Sequence, residues 1–233
     1  MTPRIAKSPT RTSRRRSLAA LISAAVLALG AACTGDLPGG IVVGSGEVTS
    51  EVRQVPELSE VEVAGGIRLE LVNGDTTSVV VTAQPNILSI TRTQVEGSKL
   101  RVDTSRGYTS VEGVTVKLTT PGLAAISLSG GSSATGETGT VRSLALNASG
   151  GARMDLTGTV EVLDVEASGG AILDLGSLRA KTAAVELSGG VVATLNASSS
   201  LTGNASGGVV ITLATRPGTV NVETSGGAVV KEP

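Results

Sequence analysis

The side chains best able to do chemistry are two pairs of acids. Asp155 and Asp174 are 19 residues apart, and Glu166 and Glu186 are 20 apart. In a chain that returns on itself at that interval, each pair sits on adjacent turns, about 4.8 Å apart. Two carboxyls at such a separation approach the arrangement of a retaining glycosidase, with one as acid and one as nucleophile. The second pair is extended at intervals by Asn147, Asn204 and Glu223, and stacked oxygens of this kind suit Ca²⁺. The bland reading of both pairs is solvated acids on an outer wall. It is favoured here, because the nine-residue Gly-Gly-x-Gly-x-Asp calcium repeat is absent. The chain also has no Phe and no Trp to serve as a sugar platform.

The other residue types exclude more than they suggest. There is no His, and Cys33 is the single Cys. Ser-His-Asp and Cys-His catalysis and the common zinc sites are therefore out of reach. Gly-Gly pairs are frequent, but none forms a G-x-x-x-x-G-K-[ST] phosphate loop. The sequence predicts no catalytic residue, no metal site and no cofactor.

What would position the acids is a repeat. Ser129-Gly130-Gly131, Ser149-Gly150-Gly151, Ser168-Gly169-Gly170, Ser188-Gly189-Gly190, Ser206-Gly207-Gly208 and Ser225-Gly226-Gly227 follow one another at intervals of 20, 19, 20, 18 and 19 residues. A fixed period near 19 is the mark of a solenoid. Around each Ser the apolar residues alternate. Leu163, Val165 and Ala167 precede Ser168, for example, and Ala171, Leu173 and Leu175 follow it. Period two means a strand with one buried face. Each repeat thus reads as strand, Gly-Gly corner, strand and a second turn, with glycine at the corner because it reaches positive φ freely. The parity sends Leu173, Val185 and Ile211 inward and the acids outward. It also sends Ile172, Val192, Val210 and Val229 outward, as an apolar ladder open to a partner or explained by β-propensity alone. Parallel strand connections are right-handed, which predicts a right-handed coil. A narrow interior filled by Ala, Val, Leu and Ile also accounts for Tyr108 being the only aromatic residue.

The start of the chain is of another kind. Residues 1–32 carry Arg4, Lys7, Arg11, Arg14, Arg15 and Arg16, no acid, and an apolar run from Leu18 to Leu29. A basic head, a short apolar stretch and small residues make an export signal. Leu29-Gly30-Ala31-Ala32-Cys33 resembles a bacterial lipobox, which makes Cys33 the expected lipid attachment site. Ser13-Arg14-Arg15-Arg16-Ser17-Leu18 resembles a twin-arginine motif, so the export route stays open between that and the general one. Removal of residues 1–32 takes away six of 19 basic residues and none of the 20 acids, leaving a net charge of −7. Such a balance argues against nucleic acid as a partner. Residues 33–46, with Pro38 and five glycines, read as a flexible tether.

Residues 48–120 are β-rich but irregular. Val61 to Leu71 already has the form of the repeat, with Ala64-Gly65-Gly66 as its corner. Ser78 to Ala83, Lys99 to Val102 and Val114 to Leu118 read as strands, Asn73-Gly74-Asp75 as a hairpin-type turn and Pro85 to Leu88 as a turn or short helix. This part would cap the solenoid. Val61 to Leu71, the lead-in Val114 to Leu123 and the run of Ser-Gly-Gly corners together resemble the putative auto-transporter adhesin, head GIN domain family of bacterial secreted proteins and lipoproteins. The resemblance spans about Gly46 to Val230. It implies a β-helical domain at the cell surface and brings no catalytic motif.

The sequence therefore predicts an all-β chain: a signal peptide over 1–32, a lipid-anchored tether over 33–46, and one right-handed parallel β-helix over 47–233 with an irregular N-terminal cap. Its expected role is non-catalytic binding outside the cytoplasm, with the membrane engaged through the lipid and a surface glycan or protein as ligand. The alternatives are a carbohydrate-active enzyme using Asp155 and Asp174, or a purely structural envelope protein. Cys33→Ala tests the anchor. The variant is expected to leave the membrane fraction and to lose labelling by a radioactive fatty acid; undiminished membrane retention would contradict the lipid reading.

Overall fold

The computed structural model describes residues 36–37 and 40–233. The export signal and Cys33 lie outside the described residues. The protein is a parallel β-solenoid of about five turns.

The regular turns are built from long strands. Ser133–Ala148, Arg153–Ala167, Ile172–Gly189 and Val192–Gly207 each run from one Gly-Gly corner to the next and pair in parallel with the strands above and below. Leu144 pairs with Leu163, Leu163 with Ala183, Ala183 with Leu201 and Leu201 with Val220. These offsets are the serine intervals of the sequence, so the repeat is one turn of the coil. In these four strands the second turn of the repeat is a bend inside a continuous strand, which differs from the separate turn that the alternation suggests; only after the Gly207-Gly208 corner do two separate strands, Val210–Leu213 and Thr219–Ser225, flank it. The register slips there, between Glu137 and Thr140, between Asp155 and Gly158, and between Leu175 and Arg179. An extra residue in one strand bends it without ending it, so the hydrogen-bonded ladder carries on round the bend.

The interior is a stack of apolar side chains. Leu173 and Val185 are 1% exposed and Ile211 is 0% exposed, and Leu144, Met154, Leu163 and Leu195 are equally dry. Burial of each such side chain contributes about 1.5–3 kcal/mol. A one-residue slip would turn every one of them outward, so the register is held by the core itself.

The irregular N-terminal part supplies one more turn and a closure. Glu60–Val63, the Ala64-Gly65-Gly66 corner and Arg68–Asn73 stack in parallel against Ala125–Leu128 and Ser133–Ala148. Lys99–Thr104 and Thr115–Thr120 pair in parallel on their far side. The chain then turns antiparallel: Thr91–Glu96 pairs with Lys99–Thr104, and Ser78–Ala83 lies between Thr115–Thr120 and Thr49–Arg53. The short helix Pro85–Leu88 buries Ile87 and Leu88 beneath this layer. On the closing hairpin, Arg92 donates to the Asp103 carboxylate at 2.7 Å and Arg101 at 3.3 Å. The Arg92 hydrogen bond is the main influence holding that carboxyl below its ordinary range.

Two short strands lie within residues 33–46, the stretch that the sequence reads as a tether. Asp36–Leu37 pairs with Ile41–Val43, which in turn pairs with Tyr108–Thr109. Val42 is buried, and its N–H donates to Gly107 O at 2.9 Å. Glycine and proline content suggested flexibility, but an Ile-Val-Val strand found an edge to join.

The corners explain the glycines. The first glycine of every corner pair has positive φ, from 62° at Gly130 to 88° at Gly65. Stacking adds a second constraint. A Cβ on Gly189 would lie 2.8 Å from Gly169 O, and one on Gly169 would lie 2.9 Å from Gly150 O. The second glycine is freer: a Cβ on Gly190 meets nothing nearer than 3.6 Å, and its φ is not positive. Gly189→Ala is therefore expected to cost about 1–3 kcal/mol. Gly190→Ala should stay within about 0.5 kcal/mol of the parent. Urea denaturation of the two variants measures the difference, and equal losses would contradict it.

Candidate functional site

Two outward positions of each turn form columns beside the corners. Glu62, Ser127, Asn147, Glu166, Glu186, Asn204 and Glu223 are successive register partners. The corner serines stand two residues further on, so they share the same face of the strand. Together the columns line an open groove of about 390 Å³ that runs along the solenoid axis from Glu62 to Ser188.

The groove is acidic and rich in hydrogen-bonding groups. At one end Glu62 is neutralised by Lys99 at 3.3 Å and Arg101 at 3.2 Å. In the middle, Asn147 Nδ2 donates to Ser127 Oγ at 3.4 Å, and beyond it Asn204 Nδ2 donates to Glu186 Oε1 at 2.8 Å. Glu166 and Glu186 have no cation within ion-pair distance among the described residues. Two like charges directly opposite on neighbouring strands repel. Both remain exposed to water, which keeps that repulsion small, and both can accept from a donor laid between them.

The other acid pair is differently placed. Asp155 and Asp174 are register partners, followed by Thr194 and Thr212 in the same column. Both carboxylates are exposed on an open wall. Their immediate neighbours in the column are Thr135 and Thr194 rather than a third acid. Among the described residues no group of three His, Cys, Asp or Glu side chains is placed to hold a metal ion.

Ile172, Val192, Val210 and Val229 are also register partners. Ile172 is 39% exposed, Val192 45% and Val229 46%, with Val210 half-buried between them. The parity of the repeat had placed this ladder.

A basic groove at the strand bend was not found from the sequence. Arg179, Lys181 and Arg216 line it with Glu161, Asn196 and Ser198, enclosing about 500 Å³. The slips of register at the bend break the 19-residue count there, so Arg179 and Arg216 could not be aligned by period. Only the register of the folded sheet places Arg179 beside Thr159, whose hydroxyl it meets at 3.4 Å.

The comparisons with other proteins agree with this geometry. Residues 57–217 match the family model for "Putative auto-transporter adhesin, head GIN domain". A solved structure of a putative adhesin from Bacteroides fragilis superposes with a TM-score of 0.67 at 18% identity, covering 82% of this chain and 100% of that one. A putative lipid binding protein from Parabacteroides distasonis gives 0.52 at 13% identity, covering 82% and 99%. A putative adhesin from Parabacteroides merdae gives 0.52 at 14% identity, covering 82% and 98%. At these identities the structural matches speak to the fold. No curated protein matches the chain. No helix among the described residues is long and apolar enough to cross a membrane.

The contrast between wall and core can be tested directly. Leu173→Asp would bury an unpaired carboxylate at a cost of several kcal/mol and should unfold the C-terminal turns. Asp155→Asn combined with Asp174→Asn should change stability by no more than about 0.5 kcal/mol per site. Circular dichroism melts of the two variants check the pair; a destabilised double Asn variant would contradict the open-wall placement.

Proposed function

The chain belongs to the putative auto-transporter adhesin, head GIN domain family, and on that premise we propose that it is an exported, non-catalytic binding module of the bacterial envelope. It is held at the membrane by lipid on Cys33 and binds a hydroxyl-rich polymer, of which a surface glycan is the best fit. The groove from Glu62 to Ser188 carries this reading. Its oxygen-bearing side chains and serine hydroxyls recur at the strand spacing of about 4.8 Å, so a linear polymer lying along the axis would meet a carboxylate, amide or hydroxyl beside a corner residue on each turn. Carboxylates and amides receive hydroxyl protons, and serine hydroxyls can donate or accept.

The enzyme alternative has less support. Its acids, Asp155 and Asp174, lie on an open wall, where water is not excluded and no second group converges on a substrate atom. The Parabacteroides distasonis protein described as lipid binding suggests a further class of ligand. The carboxylates, amide and serine hydroxyls along the groove favour the glycan over an acyl chain.

The test is a screen of the purified chain against an array of bacterial and host polysaccharides, followed by Glu166→Gln with Glu186→Gln. A hydrogen bond to a charged group is worth about 1.5–3 kcal/mol, so affinity for the best polysaccharide should fall at least about tenfold with the melting curve unchanged. Unchanged affinity in the double variant would contradict the groove as the site.

A further inference from the structure

The strand bends carry a charge opposite to that of the corners. Arg179, Lys181 and Arg216 line the groove of about 500 Å³ there, with Glu161 as its one acid. Glu161 and Arg216 are already matched: Glu161 meets Arg142 at 3.7 Å, and Arg216 is held by Glu232 at 2.6 Å. Arg179 and Lys181 have no carboxylate within ion-pair distance among the described residues. They flank the inward Ala180 on one strand, so both leave the same outer face, about 7 Å apart along it. The hydroxyl of Thr159 is the one hydrogen-bond partner of the Arg179 side chain among the described residues, at 3.4 Å. Most of its five N–H donors are therefore left for a ligand.

A second groove joins the first at Thr159 and Arg179. It encloses about 330 Å³ and is lined by Thr140, Thr157 and Ser177, with Glu137 as its one acid. The Thr140 and Ser177 hydroxyls make no hydrogen bond among the described residues. Two uncommitted cations thus stand beside two uncommitted hydroxyls. Neither groove shares a lining residue with the groove beside the corners.

We propose that the bend is a separate binding site for an acidic sugar, a uronate of a polysaccharide. Its carboxylate sits on Arg179 and Lys181, and its ring hydroxyls meet Thr140, Thr159 and Ser177. A guanidinium presents a fork of donors that matches the two oxygens of a carboxylate, and Arg216 already takes one on this face. A bare ion would use the cations and leave the hydroxyls idle, whereas a sugar acid uses both. The site does not rest on the reading given to the corner groove.

The test is calorimetric titration of the full chain, in a mild detergent, with oligomers of galacturonate, glucuronate and mannuronate. At least one should bind, and binding should weaken as NaCl is raised. Its methyl ester keeps the hydroxyls and loses the charge, and should bind at least about tenfold more weakly. Arg179→Gln with Lys181→Gln should cost a similar factor with the melting curve unchanged, since both side chains are exposed. Thr140→Ala with Ser177→Ala should also weaken binding while leaving its dependence on salt. No binding by any of the three uronates, an ester that binds as well as the acid, or full affinity in the double Gln variant overturns the proposal. Full affinity in the double Ala variant reduces the site to one for a bare ion and overturns the sugar. Loss of uronate binding in Glu166→Gln with Glu186→Gln, and not in the bend variant, would move the uronate to the corners and overturn the bend site. Attachment to phosphatidylglycerol vesicles that uronate fails to displace would assign the cations to a membrane surface and overturn it too.

Discussion

The approach of one corner backbone to the next is the constraint on which the rest of the structure depends. Gly150, Gly169, Gly189 and Gly207 stack with positive φ, and from Gly169 onward a Cβ would run into the preceding corner at under 3 Å. That contact lets the turns close to strand spacing. Gly170 N–H then donates to Gly150 O at 2.8 Å, and Gly190 N–H to Gly169 O at 2.7 Å, so the ladder continues through the corner. With the corners locked in register, the flanking strands are locked too. Leucines and valines stack inside, and identical outward positions fall into columns.

The columns are what function can use. A solenoid has no deep pocket to offer, because its interior is packed with its own side chains. Its distinctive surfaces are repetitive: an acidic, hydroxyl-lined groove beside the corners, a β-branched ladder on the adjoining wall and a basic groove at the bends. The first two repeat a simple chemistry at one spacing, which suits an extended ligand better than a small one. The carboxylates of Glu166 and Glu186, with no cation beside them, give the first of these its acceptor character.

Much of this was legible in the sequence, for a physical reason. A repeat that stacks on itself converts sequence interval directly into register, so the serine spacing gave the pairing of Leu163 with Ala183 and of Glu166 with Glu186. Strand parity then gave the inside, including Leu173 and Ile211, and the outward ladder from Ile172 to Val229. Reading failed where pairing is not periodic. The antiparallel excursion between Asn73 and Thr120 joins strands distant in sequence, and no local signal says that Ser78–Ala83 lies between Thr49–Arg53 and Thr115–Thr120. Ile41–Val43 was hidden in glycine-rich surroundings, and its partner Tyr108–Thr109 is some 65 residues away, as the pairing of Val42 with Tyr108 shows. The bend within each strand breaks the count, which concealed the grouping of Arg179 with Arg216.

Amide hydrogen exchange at the corners tests the central claim most directly. Gly170 and Gly190 are exposed by surface area, and an ordinary exposed turn would exchange quickly. If the glycine column is the continuous hydrogen-bonded spine described here, their amides should exchange only with the global unfolding of the solenoid, as slowly as those of Val165 and Val185 in the adjacent strands. Exchange at Gly170 and Gly190 at the rate of a free loop, with Val165 and Val185 still protected, would contradict it.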